Sequence, residues 1–410
     1  MAGSIQDRWF KTETNADRKT VRVKTERYGS GLRYRARYFA PDGKRKGKSF
    51  PDGQKRLAEQ WLSKVTVARG DYIDPNASRK SFQEFAEGCL AGQSRDPNTR
   101  ASMQSQLTLH AFPRIGARPL GSFQPSHMRE FVTQLEEAGM SGAYARVIFS
   151  NVRAILSAAV EDGYPRRNPC HSRTVTLPEM GKRRVVPWQP DRVFAMRGAM
   201  VERFRPMVDM GAGCGLRQGE ILGLSVDELD LESGILHVVQ QLKLSLSKPV
   251  FAPPKGGKLR DVPLPDPVAE ALKEHIKRFP PVEITLPWMR ANGWPVTKRL
   301  SFTGPNGGHV WRTSLNEDHW KPALASVGVI PKAKSREHTA AREHGMHALR
   351  HFYASVLLDA RESIKAVSEY LGHSDPGLTL KVYAHLMPSS RDRARKALGE
   401  ALRPPEDSPR

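Results

Sequence analysis

The sequence predicts a multidomain chain. A small three-stranded β-sheet with one helix comes first, an all-α domain follows, and a mixed, mainly α domain with a small β-sheet completes it. Three observations predict this. At 410 residues the chain can bury two or three cores. Strict apolar/basic alternation near the N-terminus gives way to apolar residues at helical spacing. Proline, asparagine and serine then punctuate the chain twice, which places domains at 1–75, 79–175 and 185–402 and a Pro-rich disordered tail at 403–410.

The first segment is the most basic, with 14 Lys and Arg against three acids between Arg18 and Arg56. In Leu32-Arg33-Tyr34-Arg35-Ala36-Arg37-Tyr38 the period of two puts Arg33, Arg35 and Arg37 on one face of a strand. Leu32, Tyr34, Ala36 and Tyr38 then line the other. Pro41-Asp42-Gly43 turns the chain into a basic return strand, and a helix from Gln54 to Ala68 would cover the apolar face with Leu57, Trp61 and Val65. The arginine face suits a DNA groove, with a charged edge that blocks aggregation as the lesser alternative.

After a linker at Ile73–Ser78, helices are predicted near 82–91, 99–111, 125–137 and 142–161. In the last, Ile148, Val152, Ile155, Leu156 and Ala159 recur at helical spacing, and Arg146 and Arg153 can face outward towards a ligand. Asn168-Pro169 and Pro187-Trp188-Gln189-Pro190 bracket a second linker. Beyond it, strands are predicted in 234–242, in a hairpin around Lys255 to Val262 and at 300–302, with helices over 313–326 and from His347 onward. That last helix would hold Leu349, Phe352, Val356 and Leu357 on its apolar side.

The formal charge of +22 bounds the partner to a polyanion: DNA, RNA or an anionic membrane. Without an apolar run of about 18 residues or a secretion signal, the reading is a cytoplasmic protein with no membrane partner. Cys89, Cys170 and Cys214 form no Cys-x-x-Cys pair and read as reduced, packed thiols.

Chemistry concentrates in the last domain. Arg217 stands in Gly213-Cys214-Gly215-Leu216-Arg217-Gln218-Gly219-Glu220, and Lys255 in Pro254-Lys255-Gly256-Gly257-Lys258. His347-Ala348-Leu349-Arg350, Leu371-Gly372-His373-Ser374 and Tyr383 follow. A phosphodiester under attack needs charge stabilisation on its non-bridging oxygens and a proton for its leaving oxygen. Arg217 and Arg350 would clamp those oxygens, since each guanidinium donates paired hydrogen bonds and keeps its charge. Tyr383 is the candidate nucleophile. Its unperturbed pKa of about 10 makes a base necessary, and His347, at a helix N-terminus suited to phosphate, is the candidate. Lys255 on a mobile turn would hand its proton to the 5′ oxygen, and His373 would donate a hydrogen bond to the phosphate. Bond energy is kept in a 3′-phosphotyrosine, so no ATP, metal or other cofactor is required.

Any one arginine or His-x-x-Arg is weak evidence in so basic a chain. His344, His347 and His351 could share a helical face and imitate a metal site, but no carboxylate or cysteine stands at ligand spacing, and no metal is assigned. Gly211, Gly213 and Gly215 lack a phosphate-loop pattern and suit close packing at a helix start. The order and spacing of the six residues together carry the reading.

At these residues the chain resembles the tyrosine recombinase family, in particular phage-type and mobile-element integrases. The resemblance covers most of the chain, from Gly215-Leu216-Arg217-Gln218-Gly219-Glu220-Ile221 to the tyrosine, and departs at Ala348, where the family more often has Asp. It implies the tyrosine recombinase fold, with an arm-type DNA-binding domain, a core-binding domain and a catalytic domain in that order. Glu220 would buttress Arg217 one helical turn away. The implied activity is integration or excision of a phage or mobile element. The implied partners are double-stranded DNA at attachment sites, further copies in a homotetramer on DNA, a host DNA-bending protein and a directionality factor, in the cytoplasm at the bacterial nucleoid. Two alternatives stay open: relaxation of supercoils as by a type IB topoisomerase, against which the basic N-terminal domain argues, and a DNA-binding regulator with vestigial catalytic residues.

Overall fold

The computed structural model describes residues 4–14, 20–39, 45–67, 80–92, 96–165, 167–179, 185–333 and 342–386. The chain divides into two units, Met1–Gly181 and Lys182–Arg410. The first linker, the Pro41-Asp42-Gly43 turn and the C-terminal tail lie outside the described residues.

The first unit begins with strands β1 (Ser4–Asp7), β2 (Phe10–Thr14), β3 (Thr20–Lys24), β4 (Tyr34–Phe39) and β5 (Arg45–Phe50), then helix α1 (Lys55–Val67). The three-stranded sheet has the order β1-β4-β5, all antiparallel, and β2 pairs with β3 in a separate ribbon. Alternation works as the sequence predicts within β4: Tyr34, Ala36 and Tyr38 are buried, while Arg35 is exposed. It fails just before the strand. Leu32 is exposed, and Arg33 is held by Asp7 at 3.1 Å and Asp52 at 2.7 Å, so its guanidinium is spent on carboxylates and is not displayed to a ligand. On α1 Trp61 packs on the sheet as expected, but Leu57 does not. Leu57 is exposed, and Ala58, Trp61 and Leu62 pack on Tyr34, Ala36 and Phe50, with the Val65 side chain outside the described part.

A second core in this unit is all helical: α2 (Phe82–Gly92), α3 (Pro97–Gln106), α4 (Pro125–Glu137) and α5 (Gly142–Glu161). Local signals set their starts. Asp96 caps α3 through Asn98 and Thr99, Pro125 opens α4, and Ser141 caps α5 through Tyr144. From α3 the coil runs on as a wider π-type helix through Leu107–Gly116, farther than expected, with Pro113 inside it. By length and composition α5 could cross a membrane, but Ile148, Val152, Ile155, Leu156 and Ala159 are all buried in this core. Arg153 is exposed. Arg146 instead donates to the carbonyl of Pro178 at 2.7 Å, which ties down residues 177–178 in place of facing outward.

The second unit holds α6 (Pro190–Ala199), α7 (Arg205–Gly213), α8 (Gln218–Leu222), β6 (Leu229–Asp230), β7 (Ile235–Val238), β8 (Gln241–Ser245), β9 (Lys248–Ala252) and β10 (Arg260–Pro263). Then come α9 (Asp266–Arg278), β11 (Val282–Pro287), β12 (Pro295–Leu300), α10 (Arg312–Ser314), α11 (Lys321–Ser326), α12 (His347–Asp359), α13 (Ile364–Leu371) and α14 (Pro376–Tyr383). Trp188 belongs to this core and not to a linker, because it stacks on Trp320 with centroids 6.1 Å apart. The residues around Lys255 do not form a simple hairpin. Strand β9 pairs with β8 and β10 with β7, so the lysine turn joins strands of two different sheets. The pairing of β11 with β12 replaces the single strand expected at 300–302. On α12, Leu349 is buried as expected, Val356 is exposed, and Arg350 is buried, only 1 % exposed.

Candidate active site

Glycines in α7 and in the α7–α8 connection allow close packing on α12. A Cβ on Gly211 would meet Leu349 of α12 at 2.7 Å, and one on Gly215 would meet the Tyr353 ring at 2.4 Å. Gly215 also has φ +63, a region that costs an L-residue about 1–2 kcal/mol. Gly215→Ala is therefore expected to lower stability by about 2 kcal/mol or more, read as a shift in the urea midpoint. An unchanged midpoint would show that the ring yields freely.

This approach seats Arg217 as the residue just before α8. Its backbone N–H donates to Glu220 Oε2 and its Nη1 to Oε1, both at 2.9 Å, and Nη2 reaches the Gly372 carbonyl at 3.4 Å. Glu220, 2 % exposed, holds a second cation as well: Arg260 donates to it through Nη2 at 2.7 Å and Nη1 at 3.1 Å. Burial alone would raise the Glu220 pKa, but the Arg260 and Arg217 guanidiniums outweigh it and hold it below the ordinary glutamate value. Arg260 also donates to the Tyr370 carbonyl at 2.7 Å.

Arg350 donates to the carbonyls of Gly215, at 2.7 Å, and Leu371. Burial, with Arg217 nearby, draws its pKa down to about 9, which leaves it charged at neutral pH. Helix α13 ends on Gly372 at φ +62, with the His373 N–H returning to the Ser368 carbonyl at 3.0 Å. That reversal aims the His373 ring at Thr379, whose hydroxyl lies 2.7 Å from Nδ1 and leaves the other ring nitrogen for a ligand. Among the described residues here, Arg217, Arg260 and Arg350 outweigh the single Glu220 carboxylate, so the pocket is prepared for an anion.

Tyr383 closes α14 and is 2 % exposed. Its hydroxyl lies 2.7 Å from Nδ1 of His351, not of His347. His347 packs against His351 with ring centroids 4.7 Å apart, and solvent reaches it at the head of α12. Burial pushes Tyr383 up to about 12, against the pull of Arg350. Burial and the surrounding cations push His347, His351 and His373 down to about 4, so all three rest neutral. Among the described residues no group of His, Cys, Asp and Glu is placed to hold a metal.

The structure thus gathers Arg217, Glu220, His347, Arg350, His373 and Tyr383. Lys255 stands apart, exposed on its turn, where Gly256 and Gly257 both have positive φ. The far end of that turn is anchored: Lys258 donates to the His373 carbonyl at 3.0 Å, and Arg260 follows two residues on. Sequence reasoning missed His351 and Arg260. The i, i+4 spacing of His347 and His351 was a signal for the first; Arg260 gave none among 65 basic residues.

No protein-family model matches the chain. A protein named "Tyrosine recombinase XerC-like" from Caldanaerobacter subterraneus subsp. tengcongensis is 26 % identical over 288 residues, which is 67 % of this chain and 70 % of that protein. Among solved structures, a Tn1549 transposon integrase in complex with a circular intermediate DNA superposes with a TM-score of 0.64 at 19 % identity, over 79 % of this chain and 99 % of that one. A lambda integrase dimer bound to a core site gives a TM-score of 0.51 at 14 % identity, over 88 % of this chain and 93 % of its own. The chain shares their fold, and its sequence is similar to proteins named tyrosine recombinases.

Proposed function

We propose that the chain is a site-specific integrase, which cuts and rejoins DNA through a 3′-phosphotyrosine and so integrates or excises a phage or other mobile element. The observation that carries this is the buried Tyr383 hydroxyl, hydrogen-bonded at 2.7 Å in a pocket with Arg217 and Arg350. A buried phenol in a cationic pocket with a neutral histidine on its oxygen suits attack on a phosphodiester. In this reading Arg217 and Arg350 bind the non-bridging oxygens, His373 adds a hydrogen bond through its unengaged nitrogen, and Lys255 swings in on its glycine turn to protonate the 5′ oxygen. His347, next to solvent, serves the phosphate or the proton's exit. The exposed Arg35, and Arg37 beside it, supply DNA contacts in the first unit, and Arg153 supplies one in its helical core. Assembly as a homotetramer on paired attachment sites, with a host DNA-bending protein and a directionality factor, belongs to the same proposal, as does action in the bacterial cytoplasm at the nucleoid.

The test is covalent capture. Nicked duplexes with a randomised core, in which cleavage releases a short fragment and traps the enzyme, are selected on the wild-type chain, and the adduct is mapped by peptide mass spectrometry. A 3′-phosphate on Tyr383 is expected; an adduct on another residue sinks the assignment. On the same duplex Lys255→Ala is expected to slow cleavage by about 10²–10⁴-fold. A 5′-bridging phosphorothiolate, whose leaving group needs no proton, should recover most of that loss, and equal loss on both substrates removes Lys255 from the acid role.

A further inference from the structure

We propose that His351 is the catalytic residue that takes the proton of Tyr383. The inference rests on the phosphotyrosine reading and assigns its missing base. His351 lies one helical turn beyond His347 on α12, and its Nδ1 is 2.7 Å from the Tyr383 oxygen, with ring centroids 5.6 Å apart at 62°. That is direct contact with the reacting atom. Burial leaves the phenol protonated and the imidazole neutral, and in the Nε2–H tautomer that the proposal requires the hydroxyl donates and Nδ1 accepts. The Nε2 edge then carries the ring's own proton. The same two values keep the proton on the tyrosine at rest, so the nucleophile is held in reserve until a phosphodiester arrives. An anion beside Arg217 and Arg350 makes a cationic imidazole easier to form, and the growing bond to phosphorus makes the phenol more acidic.

The step balances. As the Tyr383 oxygen bonds to phosphorus, its proton passes to Nδ1 of His351, the bond from phosphorus to the 5′ oxygen breaks, and that oxygen takes a proton from Lys255. In the rejoining step the 5′ hydroxyl gives its proton to Lys255 and attacks phosphorus. The phosphotyrosine bond breaks, and Tyr383 recovers its proton from His351. Both groups end as they began. His347, which packs on His351 at 4.7 Å but makes no hydrogen bond to the Tyr383 hydroxyl, is thereby left for the phosphate or for solvent.

Two variants separate a proton acceptor from a mere prop. Gln in His351→Gln can still hydrogen-bond the phenol but takes no proton at neutral pH, and His351→Ala opens a space for free imidazole. Each is assayed in single turnover on the nicked duplex captured by the wild-type chain, beside DNA affinity and thermal unfolding. Expected for His351→Gln is a 10²–10³-fold loss of cleavage rate with unchanged affinity and melting temperature. Imidazole is expected to restore His351→Ala at least tenfold. A His351→Gln variant cleaving within threefold of wild type overturns the proposal. So does a loss in both variants that imidazole leaves untouched, since His351 would then only hold the ring in place. If the wild-type chain itself captures no duplex, the phosphotyrosine reading fails and takes this inference with it; if it captures DNA on Tyr383 while the variants keep pace, only the role of His351 is lost.

Discussion

Tyr383→Phe is expected to bind DNA as tightly as the wild type and to form no covalent adduct at all. The side chain is 2 % exposed and packs in the main core of its unit, and phenylalanine fills that space with the same ring. What disappears is one hydroxyl and its hydrogen bond to His351, a loss of about 0.5–1.5 kcal/mol in stability. DNA affinity depends mainly on cations elsewhere in a chain of formal charge +22, so the salt dependence of binding should keep its slope. Chemistry has no such reserve, since the oxygen proposed to bond to phosphorus is gone. Denaturing gels after incubation with the nicked duplex, and gel shifts across a salt series, give both readouts. Adduct formation by the Phe variant refutes the nucleophile assignment; loss of binding refutes the claim that recognition and chemistry are separable here.

Glu220→Ala is expected to cause the largest loss of stability. The Glu220 side chain is 1 % exposed and holds Arg217 and Arg260, the latter itself only 5 % exposed at the side chain. Removing the carboxylate leaves two guanidiniums facing each other with no counter-charge, and breaking a buried pair in this way costs about 3–5 kcal/mol. Cleavage should fall as well, because the Arg217 fork loses the group that orients it. There is a pH signature. Because the folded pKa of Glu220 lies below the ordinary glutamate value, its stabilisation is complete above the ordinary glutamate range and is lost as pH falls through the lower folded value. Urea midpoints measured from pH 7 downward should show an acid-side decline in the wild type that is shallower in the variant. A variant within about 1 kcal/mol of wild type at pH 7 would mean that the pair is solvated in solution.

Much of the scaffold was legible because its signals are local. Pro125 and Ser141 mark helix starts that the structure keeps to the residue, and the spacing of Ile148, Val152 and Ile155 names the buried face of α5. The order of the chemical boxes was legible in the same way. What failed was non-local. A Pro-Lys-Gly-Gly-Lys turn announces a reversal but not which strands it joins, and here they belong to different sheets. Alternation could not reveal that Arg33 has Asp7 and Asp52 beside it, 26 and 19 residues away in sequence. On α1 the packed residue is Ala58 and not its neighbour Leu57, and a single apolar stripe does not resolve that. His351 and Arg260 escaped because their roles are set by partners 32 and 40 residues distant.

Arg350 carries an implication for how such a chain would decay once selection on it relaxes. Its guanidinium ties the carbonyl of Gly215 to that of Leu371, so the same side chain proposed to bind the phosphate also fastens the α7–α8 connection to the end of α13. Tyr383 offers one hydroxyl and no such tie. On the proposed function, copies drifting in a genome should therefore lose the tyrosine first and persist as folded, inert occupants of their sites, able to block an active sister copy. Copies that lose the arginine should vanish as unfolded chains, and the surviving sequences would record that asymmetry.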